Sequence, residues 1–141
     1  MKVTYYGHSC FKIQIGEVSY LLDPFISPNP LAYEVDIAEI KTDFVLLSHG
    51  HEDHVADAET IIKNTNSTLI SNFEIVNWFG DKGIKNGVGM NIGGAYQAPN
   101  CAIKMVSALH SSSMPDGSYG GLAAGFVFVY QEDDVDKVAY F

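Results

Sequence analysis

The sequence predicts a mixed α/β fold with several antiparallel strands, and three observations carry that reading. Residues 2–22 read as a run of short strands, residues 43–79 alternate strand and helix, and residues 101–141 return to strands. A meander followed by a strand–helix–strand–helix unit and more strands is the order of an α/β (α+β) domain.

The elements follow in chain order. Lys2–Tyr6 is rich in β-branched and aromatic residues, and Gly7-His8-Ser9 breaks it. Cys10–Ile15 alternates, with Phe11, Ile13 and Ile15 on one face. Gly16-Glu17 reads as a turn, Val18–Leu22 as a third strand, and Asp23-Pro24 as its stop. Ser27-Pro28-Asn29-Pro30 reads as a loop. Asp43–Ser48 is a short, continuously apolar run, as in a strand covered on both faces. Val55–Lys63 places Val55, Ala58, Ile61 and Ile62 at helical spacing, Ser67–Ser71 is a strand, and Phe73–Phe79 a second helix ending at Gly80. Five glycines between Gly83 and Gly94 imply turns around a short strand at Val88–Ile92. Cys101–Leu109 is a strand that delivers His110, and Ser111–Gly121 is a polar loop. Leu122–Tyr130 is a strongly apolar strand, Gln131–Asp136 an acidic turn, and Lys137–Phe141 the start of a last strand.

With 141 residues, 47% of them hydrophobic, the chain fits one globular domain over residues 1–141 that needs no stapling for stability. The net charge of -9, from 17 acidic and 8 basic residues, repels phosphate backbones. No Lys/Arg cluster offsets it, so a nucleic-acid partner is not expected. No apolar stretch reaches the roughly 18 residues of a membrane helix, and no leader is evident, so the expectation is a soluble cytoplasmic protein. Cys10 and Cys101 read as reduced, buried thiols, although a count of two leaves a single disulfide open.

The chemistry concentrates in Ser48-His49-Gly50-His51-Glu52-Asp53-His54. In extended backbone, side chains two apart point the same way, so His49 and His51 can share one metal. Asp53 and His54 lie past the bend, where the next helix begins, and can address a neighbouring position. Gly50 leaves room for the tight loop this demands. Zinc and similar borderline metals accept this mixture of nitrogen and oxygen ligands. A merely polar loop does not account for four potential ligands crowded at the carboxyl end of a buried strand, where α/β folds build sites. Asp23 also ends a strand and could fix the tautomer of a ligand histidine, or simply terminate the strand. His8 could line the pocket, or be an ordinary turn histidine. Ser111, Ser112 and Asp116 are candidates for substrate contact.

The H-x-H-x-D-H string after an apolar strand resembles the signature of the metallo-β-lactamase superfamily. Tyr6-Gly7-His8-Ser9-Cys10-Phe11, Leu22-Asp23-Pro24 and Ala108-Leu109-His110-Ser111-Ser112-Ser113 extend the resemblance to the UPF0173 metal-dependent hydrolases and, more distantly, ascorbate-6-phosphate lactonase. The resemblance implies an αββα sandwich and hydrolysis of an ester, lactone, amide or phosphodiester of a small molecule. It implies one or two divalent metals, zinc foremost, with manganese, iron or nickel as alternatives. Carried over by position, it gives His49, His51 and His110 to a first metal and Asp53 and His54 to a second. If only one metal binds, Asp53 could instead be the general base.

Two further ligands of that family, a bridging aspartate and a last histidine, have no counterpart in this sequence, which resembles the first half of the fold and the first strands of the second. The expectation is therefore a chain truncated on the C-terminal side, a half completed by another chain, or a stand-alone domain with an incomplete site. A half-sandwich would expose an apolar sheet face and favour a homo-oligomer or a complementing C-terminal half. With only Asp53 and His54 at the second position, at most one tightly bound metal is expected. A non-catalytic metal-binding module and a metal-dependent nuclease are the alternative functions.

Overall fold

In the computed structural model, which describes residues 1–141, the first three strands form the meander that their alternation predicts. β1 (Lys2–Gly7), β2 (Cys10–Ile15) and β3 (Val18–Leu22) are antiparallel, with Val3 opposite Ile13 and Ile13 opposite Tyr20. The sheet then changes character. β4 (Phe44–Leu46), β5 (Thr68–Asn72) and β6 (Gly87–Met90) add in parallel, giving six strands in sequence order. Parallel neighbours need crossovers, and helices supply two of them. α1 (Glu52–Val55) and α2 (Ala58–Thr65) join β4 to β5, and α3 (Phe73–Asp81) joins β5 to β6. A second, antiparallel sheet follows, with β7 (Ala95–Gln97), β8 (Cys101–Ser107), β9 (Ala124–Glu132) and β10 (Val135–Tyr140) in the order β10-β9-β8-β7.

The two faces of the first sheet bury different cores. One presents Leu21, Val45, Leu47 and Leu69 to the helices, which contribute Val55, Ala58, Ile61, Ile75 and Phe79. The other presents Ile13, Tyr20, Leu22, Leu46 and Ile70 to Ile103, Met105, Phe126 and Phe128 of the second sheet. This double cover is why 43–48 carries no polar alternation. The outer face of the second sheet is uncovered, and Val129, Val138 and Tyr140 are exposed there. No helix is long and apolar enough to cross a membrane.

Several element boundaries depart from the local pattern. The helix expected over Val55–Lys63 is two helices, broken at Ala56-Asp57. Asp57 is buried, and its Oδ2 accepts from the Ile26 and Ser27 amides at 2.7 and 2.8 Å. Its own amide donates to the Pro24 carbonyl at 3.0 Å, so it anchors the loop after β3 instead of continuing a helix. The strand expected over Asp43–Ser48 shortens to β4, because Asp43 turns its carboxylate onto the Ser19 amide and hydroxyl, each at 2.8 Å. Leu122–Tyr130 begins two residues late, at Ala124, and the acidic turn shrinks to Asp133-Asp134, both left-handed at φ +55° and +60°. Such a two-residue turn matches the twist of its flanking strands, and aspartate tolerates it. β7 was not expected at all. Cys10 lies between sheet and helices and Cys101 between the sheets; both are free, and burial pushes the Cys10 thiol up to about 12.

Candidate metal centre

Strands β3, β4 and β5 run in the same direction, so their carboxyl ends meet at one edge. The register pairs Leu22 with Leu46 and brings Asp23 beside Ser48, with the Asp23 amide donating to the Leu46 carbonyl at 2.9 Å. Asp23 is buried, with φ +43°, and its carboxylate accepts from the Ser48 amide at 2.8 Å and the Ser48 hydroxyl at 2.6 Å. The next residues turn sharply. A Cβ on Gly50 would sit 2.6 Å from Met114 Sδ and 3.0 Å from the Ser113 carbonyl oxygen, so only glycine fits without displacement. The Gly50 amide donates to Ser112 Oγ at 3.1 Å, which docks the histidine loop against the loop that carries His110.

Three imidazoles converge at this junction. Ring centroids lie 4.6 Å apart for His49–His51, 4.8 Å for His49–His110 and 5.0 Å for His51–His110. One ligand atom from each falls within 4.8 Å of the others. The surrounding hydrogen bonds set the tautomers. Ser48 Oγ donates to Asp23, so at 2.9 Å it accepts the proton of His49 Nδ1 and leaves the Nε2 lone pair free. His51 turns Nε2 to Ser111 Oγ at 3.3 Å. His49 Nε2 and His51 Nδ1 face each other at 3.1 Å, within hydrogen-bond reach, so that with the His49 Nε2 lone pair free His51 Nδ1 is the donor. Burial, with the His54 imidazole beside it, lowers the His49 pKa to about 4, which keeps this ring neutral near pH 7. Three converging imidazoles, two of them with the outer nitrogen engaged, match the donor set of a catalytic divalent-metal site.

A second cluster adjoins the first: His8, Asp53 and His54 also bring one ligand atom each within 4.8 Å. α1 begins right after His51 and carries Asp53 and His54 in its first turn. His54 Nδ1 donates to Asp23 Oδ2 at 2.9 Å, leaving its Nε2 free. His8 Nε2 lies 3.0 Å from Asp53 Oδ2.

All the residues singled out in the histidine-rich loop meet here, together with His110 and His8. The Asp23 carboxylate pairs directly with His54 and reaches His49 through Ser48. His110 sits three residues beyond β8, not at its end. Ser111 faces His51, and Ser112 is buried between the Gly50 amide and the Gly120 carbonyl, so Ser112 supports the loop and is not free for substrate. Asp116 is tied to Trp78 Nε1 at 2.6 Å and to Ser118, and is likewise engaged. Ser48 and Asn72 went unnoticed in the sequence. Asn72 caps α3 and donates to the Gly120 and Leu122 carbonyls at 2.6 and 3.1 Å, pinning the far end of the His110 loop. A serine directly before a ligand-like histidine was the one available signal for Ser48.

A cavity of about 360 Å³ opens beside His49, His54 and His110, walled by Phe11, Leu22, Phe126 and Phe141. A larger depression of about 800 Å³ at the β2–β3 turn is lined by Glu17 and Asp136 and lacks any such ligand cluster.

Two packed sheets, helices on the outer face of one, and a histidine-rich loop at its carboxyl edge define a metallo-β-lactamase fold. The chain belongs to the Beta-lactamase superfamily, whose domain matches residues 2–140. It is 48% identical over 127 residues to a UPF0173 metal-dependent hydrolase of Flavobacterium johnsoniae, a match covering 90% of this chain and 56% of that protein. A UPF0173 metal-dependent hydrolase of Methylacidiphilum infernorum matches to the same extent, again at 48% identity. The structure of Igni18, a metallo hydrolase from Ignicoccus hospitalis, superposes with TM-score 0.80 at 35% identity, covering 98% of this chain and 58% of that one. The metallo-β-lactamase SMB-1 shares the fold, with TM-score 0.61 at 17% identity over 99% of this chain and 60% of its own. The chain thus spans a little over half the length of these relatives.

Proposed function

We propose that this chain carries the metal centre of a hydrolase acting on an ester, lactone, amide or phosphodiester of a small molecule. The observation behind the reading is the convergence of His49, His51 and His110, two of them with the outer nitrogen already engaged. His49 through Nε2, His51 through Nδ1, and His110 would hold a divalent ion, zinc first among those that imidazole suits, with manganese, iron or nickel as alternatives. Such an ion supplies Lewis acidity toward a carbonyl or phosphoryl oxygen and brings the pKa of a bound water toward roughly 7.

The residues do the remainder. Ser48 and Asp23 hold the His49 tautomer, so that ring offers a lone pair without rearranging. Asp53 keeps Oδ2 on His8 and has Oδ1 to accept a proton from an attacking water when the first position alone is filled. The adjoining cavity, with its phenylalanine walls, suits the apolar portion of a small molecule.

The test is metal uptake and turnover by the purified chain, against a panel of one simple substrate from each of the four classes. The expected result is one tightly held equivalent that His49→Ala removes, and turnover that a chelator abolishes and added Zn²⁺ restores. Metal uptake with no hydrolysis of any panel member would make the chain a binding module instead, and no uptake would dismiss the centre altogether.

A further inference from the structure

We propose that the cavity beside His49 and His110 selects an uncharged acyl compound with a saturated apolar chain, its carbonyl at the histidines and its chain between the two sheets. The inference rests on the metal-centre reading for the position of the carbonyl. It narrows that reading by setting the anionic phosphodiester aside.

The walls carry the argument. Leu22 and Phe126 belong to the core between the sheets and are buried, and both line the cavity that opens at His49, His54 and His110. Phe11 and Phe141 complete the apolar wall, with ring centroids 5.8 Å apart. Neither ring is a loose edge. Phe11 stacks on Tyr5 at 4.9 Å. Phe141 exchanges both backbone hydrogen bonds with Phe126, at 2.7 and 2.9 Å, and its ring meets Phe128 edge-on at 5.8 Å. On the β9 side the lining residues Ala124 and Gly125 are small, which leaves the space open. The Ala124 amide donates to the Ser48 carbonyl at 2.9 Å, so this floor is tied directly to the histidine loop.

The polar groups on the lining favour the same ligand. The Asp23 carboxylate is taken up by Ser48 and His54, and the Ser48 hydroxyl by Asp23 and His49, so both serve the imidazoles. Asp23 is the one lining side chain that is a carboxylate or an ammonium; all eight basic residues of the chain are lysines placed elsewhere. An anion drawn between these walls loses its hydration beside a carboxylate and against carbon, and a cation held by the histidines offsets that only at the reacting atoms. An uncharged acyl chain loses little on desolvation and gains with each methylene it buries. At about 360 Å³ the cavity is at the small end of ligand sites, which suits a single chain.

The experiment is an NMR titration of the full chain, with and without Zn²⁺, that reads binding rather than turnover. The probes are ethyl esters with acetyl, butanoyl, hexanoyl and octanoyl chains, γ-octanolactone, an octanoyl amide, and diethyl phosphate as the anion. Affinity for the esters should rise roughly 2–4-fold per added methylene until the cavity is filled, with the Phe11 and Phe141 ring protons shifting. The lactone and amide should shift the same rings, and diethyl phosphate should leave them unmoved. Phe141→Ala keeps the backbone pairing with Phe126 and should weaken the octanoyl ester roughly 5–10-fold while sparing the acetyl ester; Phe141→Leu should restore most of the loss. Affinity independent of chain length, ring shifts with diethyl phosphate, no ring shift with any neutral probe, or an octanoyl ester indifferent to Phe141→Ala would each overturn the proposal. None of these touches the metal centre, whose failure shows separately as a chain that takes up no Zn²⁺.

Discussion

Replacing Asp23 by asparagine reverses the hydrogen-bond polarity of the whole centre while preserving its shape. Asparagine tolerates the left-handed backbone of Asp23 at φ +43°, so no strain is added. The carboxylate accepts three hydrogen bonds, from the Ser48 amide at 2.8 Å, the Ser48 hydroxyl at 2.6 Å and His54 Nδ1 at 2.9 Å. If the asparagine oxygen keeps the Ser48 amide, its NH2 group faces both the Ser48 hydroxyl and His54. The hydroxyl must then accept from asparagine and donate to His49 Nδ1, which moves the His49 proton onto Nε2. His54 is driven to its other tautomer in the same way. Both nitrogens that would bind metal then carry protons. Exchanging charge-assisted for neutral hydrogen bonds costs about 1–2 kcal/mol of stability. Metal affinity should fall roughly 10–100-fold, or about 1.4–2.8 kcal/mol. Competition titration of Zn²⁺ against a chelator measures the affinity, and urea unfolding of the metal-free chain measures the stability. Asp23→Asn with the parent's Zn²⁺ affinity would refute the claim that this relay sets the tautomers, whatever happens to stability.

Three other outcomes follow from the same structure. Metal-free protein should lose stability as pH falls from 6.5 to about 4, because unfolded His49 takes a proton near 6.5 while the buried native ring resists until about 4. The unfolded state binds more protons in that window, so the sign is destabilising with acid, by roughly 3 kcal/mol when complete. Urea unfolding across the window should show this, and a His49→Gln curve with the same slope would refute it. Gly50→Ala should destabilise by about 1–3 kcal/mol, since the new methyl meets Met114 Sδ and the Ser113 carbonyl oxygen, and calorimetry would read the loss. The uncovered face bearing Val129, Val138 and Tyr140 should make the chain self-associate, and sedimentation should show Val138→Lys shifting it toward monomer; identical sedimentation would show that this face is not the contact.

Local pattern was enough for most of the strands and for the chemistry of the histidine-rich loop. Alternation in Cys10–Ile15, the unbroken apolar run before Ser48 and the spacing of Ile61 and Ile62 are short-range signals, and each marks the face that a core must cover. The ligand-type residues of 49–54 are neighbours in sequence, so their convergence needs only a tight loop. What lies between elements was not legible. The break at Asp57 comes from two amides roughly thirty residues earlier, at Ile26 and Ser27, and no helical period encodes them. Asp23 and Ser48 become partners only through the parallel register of Leu22 against Leu46, which packing on both faces of the sheet decides. His8 reaches Asp53 because the β1–β2 turn lies over the start of α1, a contact between segments 45 residues apart in sequence. Residue type thus determined which ligand-type atoms this chain carries, whereas their partners and the grouping of His8 with the loop depend on strand register and layer packing, which are cooperative and reside in no single stretch of the chain.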